Sequence, residues 1–345
     1  MKVEEHTLRS LSDGSLRTGR PLGYVIALWV LTTCLLPTTQ GQDIHFSQMD
    51  ANPVLVNPAY TGFYEGKGRC GLIYRNQWAT VSSPFQTFAV TGEASLARSR
   101  THPRGVSMGV FAYNDVAGTL HYGILSGTLS LAAYTALDKN GTSILSVGLE
   151  GGYGQMAFDP SKAEMDDPSE TFEQRKVQYP TVGAGIAWYC QVNGDVQTKV
   201  GVAARNINRP NISYMKLDDT YLEPRYNLYA RAECRWWPST SLMPALLVQM
   251  QKEYHEVIGG VDVKWYIEES AQRQLSIGGG LAWRVGDALL ADFMMEYDAF
   301  LFMLCYDTNI SRLAGASKTI GAFELGMVYR IARRARSMTI KCPVF

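Results

Sequence analysis

His45, Ser47 and Asp50 stand close together in "QDIHFSQMD" and supply the residue types of an acyl-transfer triad. A triad is a matter of geometry, and three side chains from one short stretch rarely converge, so the sequence predicts no nucleophilic site here. Of the other histidines in the mature region, His102 and His255 fall at connections, and His121 stands near the start of a strand-like run. Ser126 and Ser130 share that run but lie further along the pleat. The glycine clusters "GLEGGYG" at 148–154 and "GGG" at 278–280 sit inside alternating runs. A phosphate loop needs a strand before it and a helix after it, so these read instead as bends or close backbone approaches inside a lumen. Five cysteines, Cys70, Cys190, Cys234, Cys305 and Cys342, follow the leader with no C-x-x-C pair. An odd, widely spaced set is neither a disulfide framework nor a zinc site, and such thiols act as small apolar fillers. The residue inventory implies no enzyme, no metal and no cofactor.

The elements around these residues say more. Arg17 and Arg20 precede an apolar run, "GYVIALWVLTTCLL" at 23–36, that ends in small and polar residues. This is the layout of a secretory signal peptide, and the run is shorter than the roughly 20 residues a spanning helix needs. Cleavage is expected near Gly41 and Gln42. Basic and acidic residues balance at 32 each, and removal of residues 1–41 leaves the chain near neutral, so no field favours nucleic acid. The composition, with 32 Gly, 19 Tyr and 7 Trp and 46% hydrophobic content, excludes disorder and leans toward strands, because Gly costs about 1 kcal/mol against Ala in a helix.

After residue 66 the apolar period is two. In "RYNLYARAECRWW", Tyr226, Leu228, Ala230, Ala232, Cys234 and Trp236 share one face, and Arg225, Asn227, Arg231, Glu233 and Arg235 the other. Leu289, Phe293 and Tyr297 likewise oppose Asp292 and Glu296, and Val261 and Trp265 oppose Asp262 and Lys264. The alternation predicts about fourteen strands between residues 68 and 331, many of 10 to 14 residues. Ordinary strands run to about 5 or 6. Long alternating segments after a signal peptide, with one apolar face and one face of charges, Gly and Ser, are the pattern of an outer-membrane β-barrel. Trp78, Tyr113, Tyr134, Tyr153, Tyr179, Trp236, Trp237, Trp265, Trp283, Tyr297 and Tyr329 are expected to form interfacial girdles. The longest connections, 156–178 and 208–224, fall at odd positions, while "DKNG" at 138–141 and "NGD" at 193–195 are tight turns at even ones. Barrels keep short turns on the periplasmic side, so both termini are expected there.

Several segments carry a family likeness. "QDIHFSQMDANPVLVNPAYTG" after the leader, "GLIYRNQW" at 71–78, "YDTNISRL" at 306–313, "GAFELGMVYR" at 321–330 and the terminal "CPVF" resemble the PorP/SprF family, outer-membrane proteins of the type IX secretion system of Bacteroidetes. The resemblance implies a barrel in the outer-membrane lipid that takes part in protein secretion or gliding motility without catalysis. It further implies an adaptor or cargo-specific module whose partners are the ring proteins, a peptidoglycan-associated linker and large surface adhesins. A channel for small hydrophobic solutes of the fatty-acid transporter type, which resembles a fourteen-stranded barrel with an Asn-Pro-containing hatch, is the alternative.

The expected organisation is a signal peptide at 1–41, a plug or hatch at 42–66, the barrel at 67–331 and a periplasmic tail at 332–345. "SQMDANPVLVNPAYTG" fits neither a helix nor a paired strand. Each proline lacks an N–H and restricts the residue before it, so Asn52-Pro53 and Asn57-Pro58 cannot join a continuous ladder. With Val54, Leu55, Val56 and Tyr60 needing burial, the segment is expected to fold back into the lumen, with Asn52 and Asn57 bonding the wall. In the tail, Arg333, Arg334, Arg336 and Lys341 form a basic group that could dock an acidic periplasmic partner.

Overall fold

The computed structural model describes residues 44, 46–64, 66–77, 84–99, 102–118, 122–158, 176–214, 220–270, 273–311 and 319–331. Residues 1–43, His45, Trp78, His121, the basic group of the tail with Cys342, and most of the 156–178 connection lie outside these residues. Fourteen strands follow one another: β1 Gly68–Gln77, β2 Phe85–Arg98, β3 Arg104–Ala117, β4 Tyr122–Ala136, β5 Ser143–Ala157, β6 Lys176–Gln191 and β7 Val196–Arg205. They continue as β8 Arg225–Trp237, β9 Thr240–Gln251, β10 Tyr254–Glu269, β11 Gln274–Arg284, β12 Ala288–Tyr297, β13 Phe300–Asn309 and β14 Ile320–Ile331. Each pairs antiparallel with its sequence neighbours, and β1 pairs with β14 from Gly68↔Ile331 to Gln77↔Ala322, closing the barrel. Closure matters physically, because an open edge in hydrocarbon would leave backbone groups with no partner.

The period-two pattern sorts the two faces as the sequence implies. Leu289, Phe293 and Tyr297 point outward, as do Tyr226, Leu228 and Trp236, while Arg225, Asn227, Arg231 and Glu256 are buried within. This is a transmembrane barrel of outer-membrane type: an apolar exterior, long strands and a polar interior. The aromatics divide more finely than expected. Trp236, Trp237, Trp265, Tyr297 and Tyr329 face outward and cluster at the end of the short turns 238–239 and 298–299. Tyr113, Tyr134 and Tyr179 are instead buried. Their strand positions carry the inward parity, and there they pack on lumen residues rather than join a girdle. The cysteines divide too: Cys305 is buried, whereas Cys70 is exposed on the outer face.

Connections after even-numbered strands are all short, whereas those after β5 and β7 span 158–175 and 206–224. The β4–β5 turn shows why such a link holds its shape. The Asp138 carboxylate accepts N–H bonds from Asn140, Thr142 and Ser143 and the Thr142 hydroxyl. The Ser143 bond leads in holding its pKa below the ordinary carboxylate value.

Candidate functional site

The lumen is occupied by the segment before β1. Both Asn-Pro pairs open a turn of helix: Pro53–Val56 is a single α-turn, α1, and Pro58–Tyr60 a 3-10 turn. Neither turn shows in the sequence, because four residues are too few to show a helical period. The physical cue was present, since proline suits the first helical position, where its missing N–H has no bond to lose. Asn57 joins the two turns. Its N–H donates to the Pro53 carbonyl at 2.9 Å, and its Oδ1 accepts from the Ala59 N–H at 2.8 Å.

A segment that cannot join the ladder must find other partners for its backbone, and inward-facing side chains supply them. Arg225 Nη1 donates to the Ile44 carbonyl at 2.8 Å, Arg205 Nη1 to Leu55 at 3.2 Å, Asn227 Nδ2 to Val56 at 2.7 Å and Ser146 Oγ to Ala59 at 2.7 Å. In the other direction, the N–H groups of Ser47 and Gln48 donate to the two oxygens of Glu324 at 2.8 and 3.0 Å, and that of Gly62 to Glu93 at 2.8 Å. The Asn57 amide donates to the carbonyls of Ile186 and Val202, both at 3.1 Å, directly across the β6–β7 pair.

Shape completes the seat. A Cβ on Gly148 would collide with the Pro58–Ala59 backbone, and one on Gly185 with the Asn57 side chain. Glycine at these positions lets the wall and plug backbones approach closely. Val56, Ala59 and Tyr60 then pack with Ala187, Tyr229, Leu247 and Ile258 from the wall. Tyr60 meets Tyr229 edge to face at 5.9 Å, a favoured aromatic geometry. Asn52, Pro53, Asn57, Pro58 and Tyr60 are all buried. Asn52 makes none of the wall bonds expected of it: both polar atoms of its amide lack a partner.

Two charge clusters flank the upstream part of the plug. The Ser47 hydroxyl donates to Asp307 at 3.0 Å and accepts from Arg284 at 2.7 Å and Arg75 at 3.1 Å. Arg284 also pairs with Asp307 at 3.0 Å and Glu256 at 3.2 Å, and Arg75 pairs with Glu324. Ser47 is thus held by a carboxylate and two guanidinium groups, an arrangement that locks a hydroxyl rather than activating it. Asp50 pairs with Arg231 at 2.6 Å and Lys199 at 3.7 Å, and accepts from the Tyr229 hydroxyl at 3.2 Å. Burial alone would raise its pKa, but Arg231 and then Lys199 outweigh it and hold the carboxyl below its ordinary range. Burial first, and the Asp50 charge second, push the Tyr60 hydroxyl up. Of the Asp50 cluster, Arg231 was visible in the sequence as an inward-parity charge, but which strands meet across the lumen was not.

Residues 38–329 match the family described as type IX secretion system membrane protein PorP/SprF. The chain belongs to that family. No curated protein matches it at a significant level. Among solved structures, the PorP/SprF chain is similar to the toluene transporter TbuX of Ralstonia pickettii, at 10% identity and a TM-score of 0.48, covering 81% of this chain and 93% of that one. It is also similar to the monoaromatic hydrocarbon channel CymD, at 8% identity and a TM-score of 0.46, covering 86% and 96%. A third is the toluene transporter TodX of Pseudomonas putida, at 8% identity and a TM-score of 0.42, covering 85% and 94%. At such identities, what those proteins transport says nothing of this PorP/SprF barrel.

Proposed function

We propose that this barrel serves the type IX secretion system as a non-catalytic adaptor or cargo-specific module of the outer membrane, contributing to surface-protein export and gliding motility. The observation that carries the reading is the family match over residues 38–329. The filled lumen supports it, since a plug tied to the wall from β1 to β14 suits a scaffold better than an open solute path. The short turns and both termini then face the periplasm, toward the ring proteins and the peptidoglycan-associated linker. The connections 158–175 and 206–224 face outward, toward a surface adhesin. The basic tail residues Arg333, Arg334, Arg336 and Lys341 are proposed as a periplasmic contact. Heat-modifiable migration on a gel tests the folded barrel itself. Pull-down of the tagged protein should recover secretion components, and deletion should strand particular cargo in the periplasm. Recovery of no partner, with loss of uptake of a hydrophobic solute on deletion, would replace this reading by that of a channel.

A further inference from the structure

We propose that the barrel associates with further copies of itself side by side in the membrane, the outer face of β3–β5 of one copy meeting the outer face of β10–β13 of the next. Lipid covers an apolar exterior as well as protein does, so apolarity alone selects nothing. Charge, aromatic content and relief differ between the two faces, and together they select a second copy.

Charge differs at the rim of short turns. The β2–β3 and β4–β5 turns are joined there, the Ala136 N–H donating to the Pro103 carbonyl at 2.7 Å. Among the described residues they present Arg98, Arg104 and Lys139 against one acid, Asp138, whose carboxylate is taken up by its own turn. Half-way round the fourteen strands, the β10–β11 and β12–β13 turns present Glu268, Glu269 and Asp298. Arg235 meets Glu269 at 2.6 Å and Arg273 lies 3.9 Å from Glu268, which leaves a negative surplus. One side of the rim is net positive and the opposite side net negative. Copies inserted the same way round hold both rims at one depth, so each offers its neighbour opposite charge with no change of height.

The aromatics are uneven in the same sense. Trp265, Tyr297 and Tyr329 face outward near the rim on the acidic side, whereas Leu96, Val106, Ala133 and Thr135 take the outward positions near the rim from β2 to β4. Aromatic rings anchor a wall at the headgroup level, and the wall without them is the one suited to a protein neighbour. Relief completes the match. A Cβ on Gly127 or Gly151 would meet nothing within 4 Å, so the outer face has a recess there, bounded by Leu125, Leu129 and Tyr153. Leu281 on the opposite face is 72% exposed, more than any other large apolar side chain among the described residues. It lies seven residues along β11 from the first, Gln274, and Gly151 lies eight along β5 from Ser143, so projection and recess stand at similar depth. Because the two faces differ, the contact is head to tail, and faces on opposite sides of a barrel extend it into a row instead of closing a pair.

The test is energy transfer between donor- and acceptor-labelled copies of the full-length protein in phosphatidylcholine vesicles, a readout independent of any role in secretion. The dyes sit on Ser239→Cys in the β8–β9 turn, with the native cysteines replaced by alanine. Transfer should exceed that of a random distribution and persist as lipid is added. Glu268→Lys/Glu269→Lys alone, or Arg104→Glu/Lys139→Glu alone, brings like charges together and should weaken association about tenfold or more. Mixing the two variants should restore transfer, since each then meets the opposite sign at both contacts. Gly151→Trp fills the recess, a change that a lipid-covered face tolerates, and should weaken association about tenfold. Heat-modifiable migration verifies that each variant is folded, and recovery on mixing shows directly that both charge variants are competent. Wild-type transfer no greater than random, no recovery on mixing, or full association in Gly151→Trp would each overturn the proposal.

Discussion

Asn57→Ala should loosen the plug by an amount that can be worked from its bonds. The change removes two donations to the β6 and β7 carbonyls and one acceptance from the Ala59 N–H. At about 1 kcal/mol per bond, with a buried N–H left bare, the loss is roughly 2 to 4 kcal/mol. Gly185→Ala attacks the same contact from the wall. Its new Cβ would strike the Asn57 side chain, and β6 cannot retreat because it is laddered to Gly148 on one side and Ala203 on the other. Overpacking of this kind costs about 1 to 3 kcal/mol. In the Asn57→Ala background most of that clash is gone, leaving the Pro58 Cδ at 3.2 Å from the added carbon. The double mutant should therefore be more stable than the sum of the singles by about 1 kcal/mol or more. Urea unfolding of the barrel in lipid vesicles, followed by tryptophan fluorescence and heat-modifiable migration, measures all four corners of the cycle. Additive effects, or an Asn57→Ala loss below about 0.5 kcal/mol, would refute the claim that Asn57 seats the plug.

Other substitutions test neighbouring parts of the argument. Arg205→Met leaves Glu150, paired at 2.6 Å and buried, without its guanidinium and removes the donor to Leu55; a loss of about 3 to 5 kcal/mol is expected, and Arg205→Met/Glu150→Met should recover much of it in the same unfolding assay. Leu149→Arg puts a charge on the lipid face at mid-strand, where Leu149 is 63% exposed, and should cost about 2 to 4 kcal/mol, read as a lower unfolding midpoint in vesicles. For Asp138 the sign follows from its lowered pKa: the turn gains stability from the carboxylate above its ordinary value of 3.8, and the gain fades as pH falls through the lower folded value. Protease nicking of the 137–142 turn should accordingly increase in strong acid, and Asp138→Ala should show the increase already at neutral pH.

Much of the wall was legible because one rule governs all of it. A lipid exterior forces every second residue to be apolar, so strands and their faces follow from parity alone, as "RYNLYARAECRWW" shows. Parity also assigned Tyr113, Tyr134 and Tyr179 inward, and reading them as girdle residues went wrong by weighing residue type over face. The plug was legible only in outline. Two prolines exclude a ladder and four apolar side chains demand burial, but the one-turn helices are shorter than any period. The partners of the plug backbone, Glu324, Arg225, Arg205, Asn227 and Ser146, come from strands far apart in sequence, and nothing local says which of many inward polar residues will meet a given carbonyl. The unpartnered amide of Asn52 had no sequence signal at all, since Asn52-Pro53 and Asn57-Pro58 look alike in the chain and differ only in what surrounds them.

That difference bears on which residues hold the plug in place. The two Asn-Pro pairs open equivalent turns, yet Asn57 makes three side-chain bonds and Asn52 makes none. An unpaired buried amide costs about 1 to 3 kcal/mol, and Ala at position 52 would escape that cost. Asn52→Ala should therefore stabilise the barrel or leave it unchanged, whereas Asn57→Ala destabilises it. The two alanine variants, read in one unfolding experiment, separate a residue that fastens the plug from one that does not. A loss at Asn52 equal to that at Asn57 would mean that both pairs serve only to hold the segment still.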